Sequence, residues 1–418
     1  MKILLINNYH FRHGGSETVY FNTADLLREH GHEVFFFSLK REENVPCLQS
    51  SYFCEAIDFK SKGFFNKAKG AIRYFYNKKA SCSLEEFLKK NRPDVAHVHL
   101  LWGGLSVSVL KKLHQYNIPI VHSVHDYRLV CPAYTFKDGN NQVCESCAGG
   151  KFWHCILKKC SKNNFVLSLI MSLEMYYRNF NHHPVRYIDE FIFVSRFCRD
   201  IHLKCDRHFR GSNNTVLYNF CNSDVVKEFD DNLDTYNNYY LYYGRLSFEK
   251  GLKTLICAFS HFPQLKLKIV GSGPEEDKLK NLCANMKLKN VEFLGFKKGQ
   301  ELYDIIQNAK FVCVPSEWYE NNPMTIVEAY SLKTPVIGAA IGGITEIVVE
   351  GKTGYLHKSG CVDDLCSKLS LADNLNKKDY NSLKVYSKSF SEANFNRDQY
   401  YLNLFGIYTK VINLKKKI

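Results

Sequence analysis

The chain reads as an α/β protein built from two Rossmann-like, doubly wound domains. Three observations predict this. Its 418 residues are long for one domain and enough for two that each bury a core. Short, near-continuously apolar runs alternate with helical stretches from end to end, as strands covered on both faces do. The alternation stops once, in a polar stretch, and then restarts.

The first series of strands runs Ile3 to Ile6, Val34 to Phe37, Val95 to Val98, Ile118 to Val124 and Phe191 to Val194. Between the first two lies a periodic helical segment, Thr18 to His30, which Gly31 closes at the position after the cap. The second series runs Tyr239 to Tyr243, Lys266 to Val270, Val291 to Leu294, Phe311 to Val314 and Pro335 to Ile337. This predicts a first domain over 1–221, a linker over 222–238 and a second domain over 239–396. A helix then follows over 397–418, packing back toward the first domain.

The opening MKILLINNYH reads as a strand and not an export signal. Its apolar core is too short and no small-residue cleavage site follows. No apolar run approaches the ~20 residues that span a bilayer. The richest, Phe165 to Tyr177, is interrupted by Ser168, Ser172 and Glu174. The expectation is a cytoplasmic protein whose 16 cysteines are reduced thiols.

A formal charge of +14 calls for an anionic partner: nucleic acid, an anionic membrane or a phosphate-rich substrate. Lys/Arg-rich runs lie at 60–92, 151–162 and 415–417. No aromatic ribonucleoprotein motif or zinc-finger spacing accompanies them, so nucleic acid is set aside.

Several motifs carry chemistry. Gly14-Gly15-Ser16-Glu17 follows the first strand and opens the first helix, where backbone N–H groups can approach an anion. It lacks the full spacing of a nicotinamide-binding loop. Gly244-Arg245-Leu246 follows the first strand of the second series, with Glu249-Lys250-Gly251 just beyond. Two cations five residues apart in a strand-to-helix loop suit a diphosphate. Gly271-Ser272-Gly273-Pro274 is either a plain loop before a helix or a nucleotide contact. From Pro315 to Val348, Glu320 falls in a loop and Glu328 inside the helix that Pro323 opens. A carboxylate among Ile326, Val327 and Ala329 is costly unless it accepts hydrogen bonds, which a ribose diol would donate.

Together with His125-Asp126, Gly342-Gly343, Glu346 and Thr353-Gly354-Tyr355, this set resembles the GT4 family of retaining glycosyltransferases with the GT-B fold. The resemblance covers nearly the whole chain. It implies that Arg245 and Lys250 hold the donor diphosphate, with Gly15 and Gly244 close to it, and that Glu328 binds the ribose. Glu320 would contact the transferred sugar, with the backbone of Asn322, Pro323, Met324 and Thr325 nearby, and His125 would face that sugar. It further implies front-face transfer, in which the leaving phosphate takes the acceptor's proton, with Arg and Lys in place of a metal. The donor would be a nucleoside-diphosphate sugar, UDP favoured over GDP. The acceptor would be a glycan or a polyprenyl-diphosphate-linked one, in capsule or O-antigen synthesis at the inner face of the plasma membrane. Lys60, Lys62, Lys67, Lys69, Arg73, Lys78 and Lys79, interleaved with Phe64, Phe65, Tyr74, Phe75 and Tyr76, are the candidate contact with an anionic membrane. The alternative for that segment is aromatics packed inward and lysines in water.

One group of cysteines is not scattered: Cys131, Cys144, Cys147, Cys155 and Cys160. Cys144-x2-Cys147 has the spacing of a zinc knuckle, and Cys131 with Cys155 or Cys160 could complete four thiolates, with His154 another candidate ligand. The expectation carried forward is a structural zinc on Cys131, Cys144, Cys147 and Cys160; the alternative is a metal-free thiol cluster. Rival functions are a transferase acting on a small soluble acceptor, an epimerase of the same fold, and a catalytically silent nucleotide-sugar-binding subunit.

Overall fold

The structure, a computed structural model, describes residues 1–12, 14–57, 64–222 and 239–417, the side chains of 64–68 apart. It divides into two compact units, Met1–Leu217 with Tyr401–Ile418, and Tyr218–Tyr400.

Unit 1 runs β1 (Lys2–Ile6), α1 (Gly15–Glu29), β2 (Glu33–Phe37), β3 (Leu39–Lys40), β4 (Cys54–Glu55), α2 (Phe64–Phe75), α3 (Lys78–Lys90), β5 (Val95–Val98) and α4 (Val107–Gln115). It continues through β6 (Ile120–Val124), α5 (Trp153–Leu157), α6 (Phe165–Asn181), β7 (Glu190–Phe193), α7 (Arg196–Cys205) and β8 (Asn214–Val216). The main sheet is parallel, in the order β2-β1-β5-β6-β7-β8, and β3 pairs with β4 separately. Ile3, Leu4, Leu5 and Ile6 are all fully buried, which is why β1 reads as an unbroken apolar run. Asn77, Asn164 and Ser195 cap α3, α6 and α7, each accepting a first-turn N–H. Gly31 takes the left-handed conformation foreseen for it, at φ 76°.

Unit 2 runs β9 (Tyr239–Tyr243), α8 (Leu252–Phe259), β10 (Lys266–Val270), α9 (Glu276–Asn285), β11 (Val291–Gly295), α10 (Gly299–Gln307) and β12 (Phe311–Val314). Then come α11 (Met324–Ser331), β13 (Val336–Ala339), α12 (Ile344–Ile347), β14 (Gly354–His357), α13 (Val362–Asp373) and α14 (Lys377–Asn394). Its sheet is also parallel, in the order β11-β10-β9-β12-β13-β14. Strand order therefore reverses between β1 and β5 in unit 1 and between β9 and β12 in unit 2. In open α/β sheets ligands bind at the carboxyl ends of strands beside such reversals.

The strand expected from Ile118 begins at Ile120, because Pro119 has no N–H to give the ladder. The expected linker, 222–238, lies outside the described residues except for Asn222. The last helix, α15 (Arg397–Lys416), belongs to unit 1 from Tyr401 onward. Tyr408 Oη lies 2.6 Å from His97 Nδ1, and Lys415 Nζ lies 2.9 Å from Asp189 Oδ1.

Glu190, with 0% exposure, sits on β7 and accepts from Lys410 Nζ and Thr215 Oγ1, each at 2.7 Å. Glu190 is buried but Lys410 is half exposed, so water meets part of the charge left behind when Lys410 is removed. Lys410→Ala should therefore destabilise unit 1 by about 1 kcal/mol in denaturant melts. Adding Glu190→Gln should recover most of that loss. An unchanged midpoint in the single variant would show that this pair does not help to hold α15.

Candidate active site

In unit 2 the loops after β9 and β12 meet. Lys250 Nζ lies 2.7 Å from Glu320 Oε1, and Ser316 Oγ donates to the same oxygen at 2.7 Å. Lys250 also stands 5.3 Å above the Trp318 ring. Burial pushes the Glu320 carboxyl up, but the Lys250 ammonium and the hydrogen bonds outweigh it and hold its pKa below the ordinary value. The approach is close because Gly251, at φ 70°, has no Cβ; one would stand 1.9 Å from the Pro315 carbonyl oxygen. Arg245 is exposed and makes no ion pair among the described residues, so its guanidinium is available to an anion. Its own carbonyl is held by Tyr242 Oη at 2.8 Å.

The Gly271-Ser272-Gly273 segment is laced to the Arg245 loop. Gly244 N–H donates to the Val270 carbonyl at 3.0 Å and Leu246 N–H to the Ser272 carbonyl at 3.0 Å. A Cβ on Gly271 would lie 1.9 Å from Gly244 O. These glycines let two strand ends press together, and that accounts for them.

Glu328 lies on α11 as foreseen, and part of its surface stays open. Burial pushes its pKa up to about 7, and the Tyr243 hydroxyl opposes this only in part, being shared with the Thr325 carbonyl at 2.7 Å. Pro323 caps the helix without a side-chain bond, so the N–H groups of its first turn project from the helix end near Met324 and Thr325. Asn322 is buried, and its side-chain oxygen accepts from Asn219 N–H at 2.8 Å. Arg245, Lys250, Glu320, Asn322, Pro323, Met324, Thr325 and Glu328 thus share the carboxyl end of one sheet.

In unit 1 the carboxyl ends of β1, β5 and β6 carry Gly15 and His125, with His99, which sequence reading passed over. Thr18 N–H closes back on the Gly14 carbonyl at 3.0 Å, so the N–H groups ahead of it project from the head of α1. His125 Nε2 lies 2.9 Å from His99 Nδ1, with the rings stacked at 5.1 Å. Burial lowers the pKa of His125 to about 4 and that of His99 further. The signal for His99 was its place one residue past β5, at the strand-order reversal. The segment after His125 is fixed by two buried cations. Arg128 Nη1 donates to Tyr74 Oη and the Pro132 carbonyl at 2.7 and 2.9 Å. Arg178 Nη2 donates to the Arg128 carbonyl at 2.8 Å.

The described residues do not gather three of the expected cysteines into one group of metal-capable atoms. Cys144 Sγ lies 3.3 Å from Ser146 Oγ and 3.2 Å from Lys158 Nζ, while Cys131, Cys147 and Cys155 are buried. Among the described residues the group whose metal-capable atoms lie within 4.8 Å of one another is instead His183, Asp206 and His208. It is poorly suited to a metal. His183 Nδ1 accepts the Val185 N–H at 3.3 Å, so Nε2 keeps the proton it donates to Asp206 Oδ2 at 2.8 Å. His208 donates to the other carboxylate oxygen at 2.7 Å.

Solved structures share this fold along nearly its whole length. Sucrose-phosphate synthase from Thermosynechococcus elongatus matches with a TM-score of 0.72 at 18% identity, over 99% of this chain and 100% of that one. Anabaena HepE, in complex with UDP and glucose, matches with a TM-score of 0.67 at 17% identity, over 98% and 100%. The architecture is GT-B, that of glycosyltransferases. The profile of Glycosyltransferase Family 4 matches residues 13–225 and that of Glycosyl transferases group 1 matches 226–389, so the chain belongs to glycosyltransferase family 4. A relative, a 42.6 kDa protein in the cps region of Klebsiella pneumoniae, is 26% identical over 365 residues, 83% of this chain and 87% of its own.

Glu328 gives a pH test. Its folded pKa stands above the ordinary 4.5, so its favourable contribution is complete below about pH 4.5 and is lost as pH rises through about 7. Glu328→Gln should therefore gain stability on the unliganded parent across that window, by on the order of 2–3 kcal/mol, and then hold level. A difference independent of pH between 4 and 8 would contradict the shift.

Proposed function

We propose that the chain is a retaining, metal-independent glycosyltransferase that takes a sugar from a nucleoside-diphosphate sugar, UDP favoured over GDP. The observation that carries this reading is the Lys250–Glu320 pair, with an exposed Arg245 that makes no ion pair among the described residues earlier in the same strand-to-helix connection, at the strand-order reversal of unit 2. Arg245 and Lys250 hold the diphosphate, Arg through two oxygens at once and Lys as a point charge. Projecting N–H groups at the head of α11 add to them. Glu328 takes the ribose hydroxyls, and Glu320 takes a sugar hydroxyl while keeping Lys250 in place. In unit 1, the resemblance assigns Gly15 to the diphosphate or the acceptor and His125, whose imidazole burial keeps neutral, to the sugar.

The acceptor hydroxyl attacks from the face the phosphate vacates. The anomeric carbon–oxygen bond to phosphate breaks as the new bond forms, and the acceptor's proton passes to the departing phosphate. The anomeric configuration is retained, and the two cations stabilise the charge that develops.

The acceptor in this reading is a glycan carried on a polyprenyl diphosphate, used in surface polysaccharide synthesis. The cps-region relative supports it. Such an acceptor requires docking on an anionic membrane, and the described residues move the candidate surface. Tyr74 is buried, Phe75 packs on Tyr177 at 5.8 Å and Tyr76 on His182 at 5.7 Å, so these aromatics face inward. Lys60 and Lys62 lie outside the described residues, as do the side chains of Phe64, Phe65 and Lys67. Lys69, Lys78 and Lys79 are exposed; Arg73 Nη2 binds the Glu55 carbonyl. On α2 the exposed apolar side chain among the described ones is Ile72; more of them lie on α5 and α6, namely Trp153, Leu157, Phe165, Val166, Leu173 and Phe180, with Lys151, Lys159 and Lys162 in the same stretch. No helix among the described residues is long and apolar enough to cross a membrane.

Two tests follow from this reading. Arg245→Ala and Lys250→Ala should each cost about 2–4 kcal/mol in kcat/KM, while in calorimetry Glu328→Ala weakens UDP binding more than Glu320→Ala, which acts on UDP only through Lys250. Near-parental turnover in both cation variants would refute the diphosphate clamp. The protein should also sediment with anionic vesicles at low salt and release at high salt. Lys151, Lys159 and Lys162 changed together to Glu should abolish sedimentation and leave UDP binding intact. A parent protein that ignores anionic vesicles at low salt would make a soluble acceptor the better reading.

A further inference from the structure

Four histidines lie on β5 and β6 or one residue past them: His97, His99, His122 and His125. His97 uses both ring nitrogens, Nδ1 with Tyr408 Oη at 2.6 Å and Nε2 with Ser123 Oγ at 2.8 Å. His122 donates Nε2–H to the His99 carbonyl at 3.1 Å, and His99 N–H donates to the Ile6 carbonyl at 2.8 Å. The His99 backbone is thus tied to β6 on one side and β1 on the other. Its ring, 1% exposed, packs against three more: His125 at 5.1 Å with 9° between the planes, His97 at 4.4 Å and Tyr20 at 5.4 Å. Close packing on that many sides leaves the ring one orientation.

The two nitrogens of that ring are unequal. Nδ1 lies 2.9 Å from His125 Nε2, whereas Nε2 is buried without a hydrogen-bond partner. Burial keeps both rings neutral, and a neutral imidazole carries one proton and one lone pair. With the proton on Nε2, a buried N–H of His99 would go unmet and Nδ1 would have to accept from His125. With the proton on Nδ1, His125 meets the donor and only a lone pair is left bare. A buried N–H without an acceptor is rarer in folded chains than an under-used acceptor, so the second arrangement holds. His125 then accepts at Nε2 and carries its own proton on Nδ1.

We infer that His99 is a positioning residue: by donating Nδ1–H to His125 Nε2 it fixes His125 as the Nδ1–H tautomer. What this does for sugar transfer rests on the role proposed above for His125. With its lone pair occupied, His125 meets a sugar as a hydrogen-bond donor and takes no proton from an attacking hydroxyl. That agrees with a transfer in which the departing phosphate takes the proton. Sequence reading had no means to assign His99, because its partner lies 26 residues further along the chain.

The test is nitrogen NMR of the full chain carrying isotope-labelled histidine, at neutral pH. Protonated and lone-pair ring nitrogens resonate far apart, and correlations to the ring protons tell Nδ1 from Nε2. The two residues are identified by the signals lost in His125→Gln and in the His99 variants. In the parent, both rings should carry the proton on Nδ1 and the lone pair on Nε2. In His99→Phe, His125 should leave that single tautomer, its two nitrogens moving toward a shared average. His99→Asn, whose amide reaches the place of Nδ1 and can donate there, should restore the parental His125 pattern. His99→Gln, whose amide reaches the place of Nε2, should not. Because His99→Phe can perturb folding, the parent spectrum and the Asn–Gln comparison each decide without it. A proton on Nε2 of His99 in the parent, an unchanged His125 pattern in His99→Phe, or equal rescue by Asn and Gln would each overturn the assignment. None of these readouts needs a sugar donor or turnover, so failure here is separable from failure of the proposed activity.

Discussion

Unit 2 is organised around the need to compensate one buried carboxylate. Glu320 is 6% exposed, and a carboxylate so placed costs several kcal/mol unless its charge is met. Its cation, Lys250, comes from a loop 70 residues earlier in the chain, so the segments after β9 and β12 depend on each other. The backbone around them follows. Gly342 N–Cα–C passes so close to Glu320 that a Cβ would lie 2.4 Å from the Glu320 carbonyl oxygen. Gly343 N–H then donates to that same oxygen at 2.7 Å. Glycines that look like loop filler are the condition for the ion pair to form.

The same constraint separates two glutamates eight positions apart. Glu320 meets an ammonium and a hydroxyl and is held ionised. Glu328 meets burial and a phenol already shared with a carbonyl, and its pKa rises to about 7. One is therefore a fixed charge with its partner in place. The other becomes a good acceptor only when donors arrive, which makes it sensitive to what occupies the open part of its surface.

How much of this was legible in the sequence follows from how local each determinant is. Tyr239–Tyr243 was readable to the residue because a central strand covered on both faces leaves an unbroken apolar run, and Lys266–Val270 because Leu267, Ile269 and Val270 stand buried against it around Lys268. β8 carries Asn214 and Thr215, and β14 starts at Gly354 and ends at His357, so neither shows such a run. The candidate site residues of unit 2 lie in loops or on α11 at fixed distances from readable strands, so their motifs could be located in the sequence. The cysteines were different. Spacing alone put Cys144 with Cys147, and only folding shows that the Cys144 sulfur lies against Lys158 and Ser146. The aromatics of α2 were also undecidable, since whether Tyr74 faces water depends on Arg128, which is 54 residues away.

The two units also differ in the charge they can offer at their strand ends, and that difference bears on chemistry. Unit 2 presents the basic side chains Arg245 and Lys250. Unit 1 presents His99 and His125, which burial keeps neutral well below pH 7. A stacked neutral pair 2.9 Å apart shares one proton between two nitrogens, so each ring fixes the other's tautomer and orientation. Such a pair can select and orient hydroxyls but cannot stabilise a leaving anion. If sugar transfer is the reaction, its electrostatic work belongs to unit 2 and its stereochemical selection to unit 1. Loss of His125 should then alter which sugar is accepted more than how well the diphosphate is held.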